Sequence, residues 1–340
     1  MTTERILLQE RLVGIIRRFP RNRILVVGDV IADRFVYGAI SRVSREAPVL
    51  ILRHEQTETV PGGAANCAVN LAALGATACL VSAAGKDEAG QASLKRLEAA
   101  GVDCVGLYLS DQLQTPTKVR VLAGQLHSTR QQVIRIDYES APLTDHVVRE
   151  SVVKQVGEQA ALSDAVIISD YNYGVVGDET AAAIRKATQQ KATPVFVDSR
   201  FRLSSFSGFS SATPNEEEIE HLLGRVHPDT STLAAAAESL REQLGFRALL
   251  VTRGSHGMML LERGAPPLNI DAVSANEAVD VTGAGDTVIA TYVLALASGA
   301  SFPDAARLAN HAGGLVVMKR GTASITSQEL EDSVLHSETS

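Results

Sequence analysis

A chain of 340 residues, 45% apolar and 21% charged, can bury a sizeable core, and this balance excludes both a disordered tail and a membrane-embedded protein. The net charge of −7 and the pI near 5.7 remove the electrostatic footprint of a nonspecific nucleic-acid binder. Three cysteines, Cys67, Cys79 and Cys104, odd in number and without metal-ligand spacing, point to a reduced cytoplasm and to small buried fillers.

In chain order, charged residues interleaved with Leu12, Val13, Ile15 and Ile16 predict an amphipathic helix, unlike the continuous apolar core of a secretory signal. The run Ile24-Leu25-Val26-Val27-Gly28-Asp29 then reads as a buried strand ending in a turn. Similar apolar runs recur at Ala78 to Val81, Ala165 to Ile168, Pro194 to Val197 and Ala248 to Val251, separated mostly by alanine-rich helical segments. That alternation predicts an α/β fold with a doubly wound, mainly parallel sheet flanked by helices.

Two regions, 34–60 and 111–137, break the rhythm with consecutive strand-like runs and predict antiparallel excursions. In the second, Lys118 and Arg120 alternate with Val119 and Val121, and Arg135 and Asp137 with Ile134 and Ile136, giving one polar and one apolar face. Together they can build a small β lid that excludes water, or a clasp between two copies of the chain. The core then comprises 1–33, 61–110 and 138–326, and the polar tail 327–340 is expected to fray. The longest apolar stretch, around Val288 to Ala297, is too short to span a bilayer, so a soluble protein is expected.

The most informative segment is Asp280-Val281-Thr282-Gly283-Ala284-Gly285-Asp286-Thr287. Gly283 and Gly285 let the backbone turn its N–H groups onto an anion, and the helix that follows adds a positive dipole end. A carboxylate beside a phosphate is repulsive unless it has work to do, and proton removal from an attacking hydroxyl is the obvious work for Asp286. Simple capping by Asp280 and Asp286 is the plainer alternative. Further upstream, Pro61-Gly62-Gly63-Ala64-Ala65-Asn66 opens a small-residue helix, where the glycine pair permits close approach and Asn66 can both donate to and accept from a hydroxyl. Asp29 and Asp33 lie just past the first strand, where α/β folds bind ligands, and their carboxylates suit vicinal hydroxyls.

Taken together, Gly62 to Asn66 and Asp280 to Asp286 resemble the paired signatures of the ribokinase-like (PfkB) carbohydrate kinases. The resemblance runs from about Ile24 to Thr326 and includes Gly28-Asp29 with Asp33, Asn215-Glu216-Glu217-Glu218, and Thr252-Arg253-Gly254 before Gly257. It implies an ATP-dependent and magnesium-dependent kinase in which Asp286 is the base and the amides of Gly283, Ala284 and Gly285 form the anion hole. Asn215 and Glu218 would position magnesium around the phosphates, while Thr252, Gly254 and Asn310 would line the nucleotide site. Asp280, Thr282 and the loop from Gly321 to Ser324 resemble a monovalent-cation site, which implies potassium.

Within the family the likeness is greatest to kinases of the ADP-heptose pathway, which act on O1 of D-glycero-β-D-manno-heptose 7-phosphate in lipopolysaccharide core precursor synthesis. It is carried by Gly28 to Arg34, Ser41 to Pro48 and Ser169-Asp170-Tyr171-Asn172. Arg42, Lys118 and Arg120 are then candidates for a substrate phosphate. Arg45, Tyr173 and Arg200 depart from the usual pattern of those kinases and bear on the acceptor rather than the reaction. The chain ends soon after the kinase-like region, so a kinase without a nucleotidylyltransferase domain is expected. Other readings are a family kinase of another sugar, sugar phosphate or nucleoside, and a non-catalytic sugar or nucleotide sensor. A dinucleotide-dependent dehydrogenase is disfavoured because the first strand leads into Gly28-Asp29-Val30 rather than a Gly-x-Gly-x-x-Gly turn.

Overall fold

The computed structural model describes residues 3–124, 130–226, 229–273 and 278–337. Helix α1 (Thr3–Ile16) leads into strand β1 (Arg23–Gly28), followed by the long hairpin β2 (Val30–Val43) and β3 (Leu50–Gly63). Next come α2 (Ala64–Ala73), β4 (Thr77–Gly85), α3 (Glu88–Ala99), β5 (Asp103–Ser110) and a second hairpin, β6 (Thr117–Gly124) with β7 (Gln131–Tyr138). The chain continues through α4 (His146–Ala160), β8 (Ala165–Asp170), α5 (Asp178–Gln189), β9 (Val195–Ser199), β10 (Ser211–Ala212), α6 (Glu216–Leu223), α7 (Thr230–Leu244) and β11 (Ala248–Thr252). It closes with β12 (Met258–Glu262), β13 (Leu268–Ile270), α8 (Ala284–Ala297), α9 (Phe302–Val316) and α10 (Ser327–His336).

Among the described residues nine strands form one sheet in the order β13-β12-β11-β10-β9-β8-β1-β4-β5, parallel except at β12 and β13. Strand β1 shows why its apolar run is continuous: Ile24 and Val26 enter one core cluster, Leu25 and Val27 the other, and all four are fully buried. Each contributes roughly 1.5–3 kcal/mol by burial. From β1 the chain winds outward through β4 and β5, then returns to β8 on the other side and winds the opposite way. The crevice at the C-terminal ends of β1 and β8 is therefore the topological switch point where such folds bind ligands.

The two hairpins join into a second, four-stranded sheet in the order β3-β2-β6-β7. Each hairpin is antiparallel, as expected, but β2 and β6 that unite them run parallel. The lid sheet starts at Val30 and extends to Gly63, so Asp33, opposite Val60, and Gly62, opposite Ile31, lie on its own strands near the core.

The tail does not fray through its described part. Thr326 and Glu329 form a reciprocal capping box, and α10 buries Leu330 and Val334 in the main core cluster, against α1 and α9. Residues 338–340 of that expectation lie outside the described residues.

Candidate active site

Helix α8 begins at Gly283, which caps it in the left-handed region at φ 76°. A Cβ there would fall 2.6 Å from the Asn66 amide nitrogen, so only glycine permits this packing. Gly285 has open space on its side-chain side and lines a cavity of about 630 Å3. The N–H of Ala284 donates to the Val281 carbonyl at 3.2 Å, which removes it from the expected three-amide anion hole. The N–H groups of Gly283 and Gly285 have no partner among the described residues and remain available to an anion.

Asp286, one residue further, is only 4% exposed. Its Oδ2 accepts from Asn66 Nδ2 at 2.8 Å, and its Oδ1 accepts from the Tyr171 hydroxyl at 3.0 Å. Asn66 is oriented in turn, because its Oδ1 accepts from Asn70 Nδ2 and the Asn70 Oδ1 accepts from Thr287. Burial pushes the Asp286 carboxyl up to about 7, against the pull of the Asn66 and Tyr171 hydrogen bonds. A carboxyl poised there can exchange a proton near neutral pH. Sequence reasoning passed over Tyr171 as a contact of Asp286; its position directly after β8, at the switch point, was the available signal.

The two carboxylates expected to meet a sugar part company. Asp29 accepts from the backbone N–H groups of Tyr171, Tyr173 and Val175 at 2.8, 3.1 and 3.1 Å and is 1% exposed. It shapes the loop after β8 and has no face left for a ligand, which corrects its expected role. Burial nevertheless raises it to about 6. Asp33 is buried in an ion pair with Arg120 and accepts from Thr322 Oγ1 at 3.2 Å. A Cβ on Gly62 would come within 2.5 Å of Asp33, and one on Gly63, itself at φ 58°, within 2.7 Å of the Asp29 carbonyl.

Of the three expected cations, Arg120 is thus committed to Asp33 and to the face of Phe35. Arg42 lies nine residues along β2 from Asp33, roughly 30 Å away in an extended strand, and is exposed. It does not join the site. Lys118 does: its Nζ stands 5.5 Å from the Tyr171 ring centre, and among the described residues no carboxylate lies within ion-pair distance. Burial lowers its pKa. Arg200, at the mouth of the same cavity, is a second cation that sequence reasoning treated only as a departure from pattern.

On the opposite wall Asn215 and Glu218 form a capping box: Asn215 Oδ1 accepts from Glu218 N at 2.8 Å and Glu218 Oε2 accepts from Asn215 N at 2.9 Å. Both still line the cavity, with Asp198 and Thr252. Burial and the neighbouring Glu218, Asp286 and Asp170 push Asp198 well above the usual carboxylate range, and burial raises Glu218 as well. Two mutually repelling oxygen ligands at one cavity fit a hydrated divalent ion such as magnesium. Because the described residues contain no cluster of three or more ligating side chains, such an ion would complete its shell with water and phosphate oxygens.

Gly254 occupies a turn at φ 53° beside Thr252. Asn310 does not reach this cavity; it donates to the Asp271 carbonyl at 2.7 Å and lines a second one, of about 300 Å3, bounded by α1, α9 and α10. At the expected monovalent-cation site, Asp280 already accepts from Thr282 N and Gly321 N, each at 2.9 Å. The Ser324 carbonyl accepts from Lys319 Nζ at 2.8 Å. Each Asp280 oxygen and the Ser324 carbonyl thus carries one donor and keeps a lone pair that a monovalent cation could use.

With this geometry in place, comparison with known proteins is specific. The model of the pfkB family of carbohydrate kinases matches residues 21–329. The bifunctional protein HldE of Pseudomonas paraeruginosa is 43% identical over 318 residues, covering 93% of this chain and 64% of that protein. The chain thus spans about two thirds of the length of this curated relative. Among solved structures, ribokinase of Arabidopsis thaliana complexed with ribose and ATP superposes with a TM-score of 0.73 at 21% identity, covering 93% of this chain and 99% of that one. Phosphofructokinase-2 from Escherichia coli, in complex with substrates and products, gives 0.75 at 18% identity over 93% and 99%. The structures share the fold.

Proposed function

The chain belongs to the pfkB family of carbohydrate kinases, and from that premise we propose that it transfers the γ-phosphate of ATP to O1 of a heptose 7-phosphate, D-glycero-β-D-manno-heptose 7-phosphate, in ADP-heptose synthesis. The observation that carries the kinase chemistry is Asp286, a carboxylate poised near neutrality one residue from the free N–H groups at the start of α8. The acceptor hydroxyl loses its proton to Asp286 as its oxygen bonds to the γ-phosphorus and the bond to the ADP oxygen breaks. The Gly283 and Gly285 N–H groups receive the charge on the phosphoryl oxygens. Magnesium, held at Asp198 and Glu218, would neutralise charge on the nucleotide phosphates.

Lys118 gives the acceptor reading its support. An ammonium part-buried in the lid, with no carboxylate at ion-pair distance among the described residues, has room for an anion, and a sugar phosphate brings one. The reaction belongs to the cytoplasm, where ATP is at hand; no helix among the described residues is long and apolar enough to cross a membrane. The outer face of the lid, with Ile134 and Ile136 exposed, supports a homodimer clasp.

Kinetics with a panel of acceptors tests the substrate: heptose 7-phosphate should outperform fructose 6-phosphate, ribose and nucleosides, and turnover confined to unphosphorylated sugars would sink that choice. Asp286→Asn should lower kcat about 1,000-fold while ATP binding survives in calorimetry. A variant that turns over at the wild-type rate would remove Asp286 from the mechanism.

A further inference from the structure

Three parts of the site meet on one residue. The hydroxyl of Tyr171 donates to Asp286 Oδ1 at 3.0 Å, its ring carries Lys118 Nζ 5.5 Å above its centre, and its backbone N–H is fixed by Asp29 at 2.8 Å. We propose that Tyr171 is the positioning residue of this kinase, holding the base ionised through its hydroxyl and seating the lid cation Lys118 on its ring. The proposal rests on Asp286 being the base.

The ring is held from several directions. Asp29 also takes the N–H groups of Tyr173 and Val175, so the whole turn after β8 hangs on one carboxylate. Asn172 accepts a left-handed φ of 67° within that turn, a conformation that costs a non-glycine residue and survives where the surroundings dictate it. Gly63 lets the ring approach: a Cβ there would stand 3.2 Å from Tyr171 Cε2. So the glycine pair that opens α2, Asn66 behind it and the turn after β8 converge on one carboxylate.

The electrostatics explain why a donor is needed. Asp286 faces Asp33 from β2, Lys118 from β6, Asp198 from β9, and the Asn66 amide and Cys67 thiol from α2. Burial and two carboxylates work against its ionised form, and Lys118, Asn66 and Tyr171 work for it. A hydroxyl that donates to a carboxylate stabilises the ion selectively, so its loss is felt in the protonation of the base. Tyr171 itself is no rival base, since burial and Asp286 hold its phenol well above the ordinary tyrosine range.

The test is the pH dependence of Tyr171→Phe with ATP and heptose 7-phosphate. Losing one hydrogen bond to a charged group should move the acid limb of kcat/KM upward by about one pH unit. At pH 7 the rate should fall about fivefold, recovering to within about twofold of wild type by pH 9, with KM for ATP unchanged. Tyr171→Leu, which also removes the ring under Lys118, should add an increase of several-fold in KM for the phosphosugar. A Tyr171→Phe profile superimposable on wild type, or a loss equal at every pH, overturns the proposal. Direct carbon-13 NMR titration of the Asp286 carboxyl in the same variant needs no acceptor: an unmoved midpoint also overturns it. If Asp286→Asn retains full activity, the reading of the base fails; if that variant is inactive and Tyr171→Phe is unmoved in pH, only the role of Tyr171 fails.

Discussion

Asp286 is held in the fold at a cost that can be read from pH. Its carboxyl moves from 3.8 to about 7 through burial, so the folded chain binds this proton more tightly than the unfolded chain. The associated stability is full below the unfolded value and is lost as pH rises toward 7, by roughly 4 kcal/mol as an upper limit for a fully buried group. Asp286→Asn cannot ionise, so it should melt with wild type near pH 4 and several degrees above it by pH 8, with calorimetry as the measurement. A difference that stays constant with pH would mean that the carboxyl titrates in the ordinary range. Asp29, also raised by burial, shows the limit of reading residues in isolation. Its place after β1 pointed to a ligand, but its three donors lie 142 to 146 residues away in sequence. Position was legible in the sequence; the donors that would occupy each carboxylate were not. Asp286 was legible for the opposite reason, because its glycine neighbours and helix start are local.

Elements were legible where burial leaves a one-dimensional trace. Strands β1, β4, β8, β9 and β11 are packed on both faces and read as continuous apolar runs, and the equally buried run Met258 to Leu261 of β12 carries the same trace; the short β13 at the sheet edge and the two-residue β10 do not stand out. The parallel union of β2 with β6 joins residues 85 positions apart, such as Asp33 and Lys118, and no local pattern encodes it. Helix α10 was missed because its composition is polar; only Leu330 and Val334, four residues apart, face inward. The capping signature Thr326-Ser327-Gln328-Glu329 was the cue that outweighed composition. Lys319 ties this helix to the site loop by pairing with Glu329 at 2.6 Å while donating to the Ser324 carbonyl. Leu330→Ala should cost about 2–5 kcal/mol in denaturant unfolding, since Leu330 is fully buried, while leaving kcat at 25 °C little changed. An unchanged midpoint would return the segment to a frayed tail.

At the scale of the whole molecule the lid has two faces with opposite demands. Lys118 and Arg120 share their face with Asp137 and Arg135 of β7 and turn toward Tyr171 and Asp33. Alternation then forces Val119, Val121, Ile134 and Ile136 onto the other face, where Ile134 is 53% and Ile136 42% exposed. Helix α3 packs against β2 and β3 and Val119 is buried, but among the described residues Ile134 and Ile136 at the β7 edge are left uncovered. Burying that face against the same face of another copy would generate a two-fold interface and stiffen the lid in one step. Light scattering should therefore give twice the chain mass of 36.0 kDa for the wild type. Ile134→Glu combined with Ile136→Glu should give the single mass, with an unaltered circular dichroism spectrum because both side chains are already solvent-facing. The double variant should also raise KM for the acceptor more than KM for ATP, since Lys118 rides on the lid while Glu218 and Thr252 belong to the core sheet and its helices. A wild type that scatters as one chain would leave the lid to close over the site alone, and equal losses for both substrates would detach its outer face from acceptor binding.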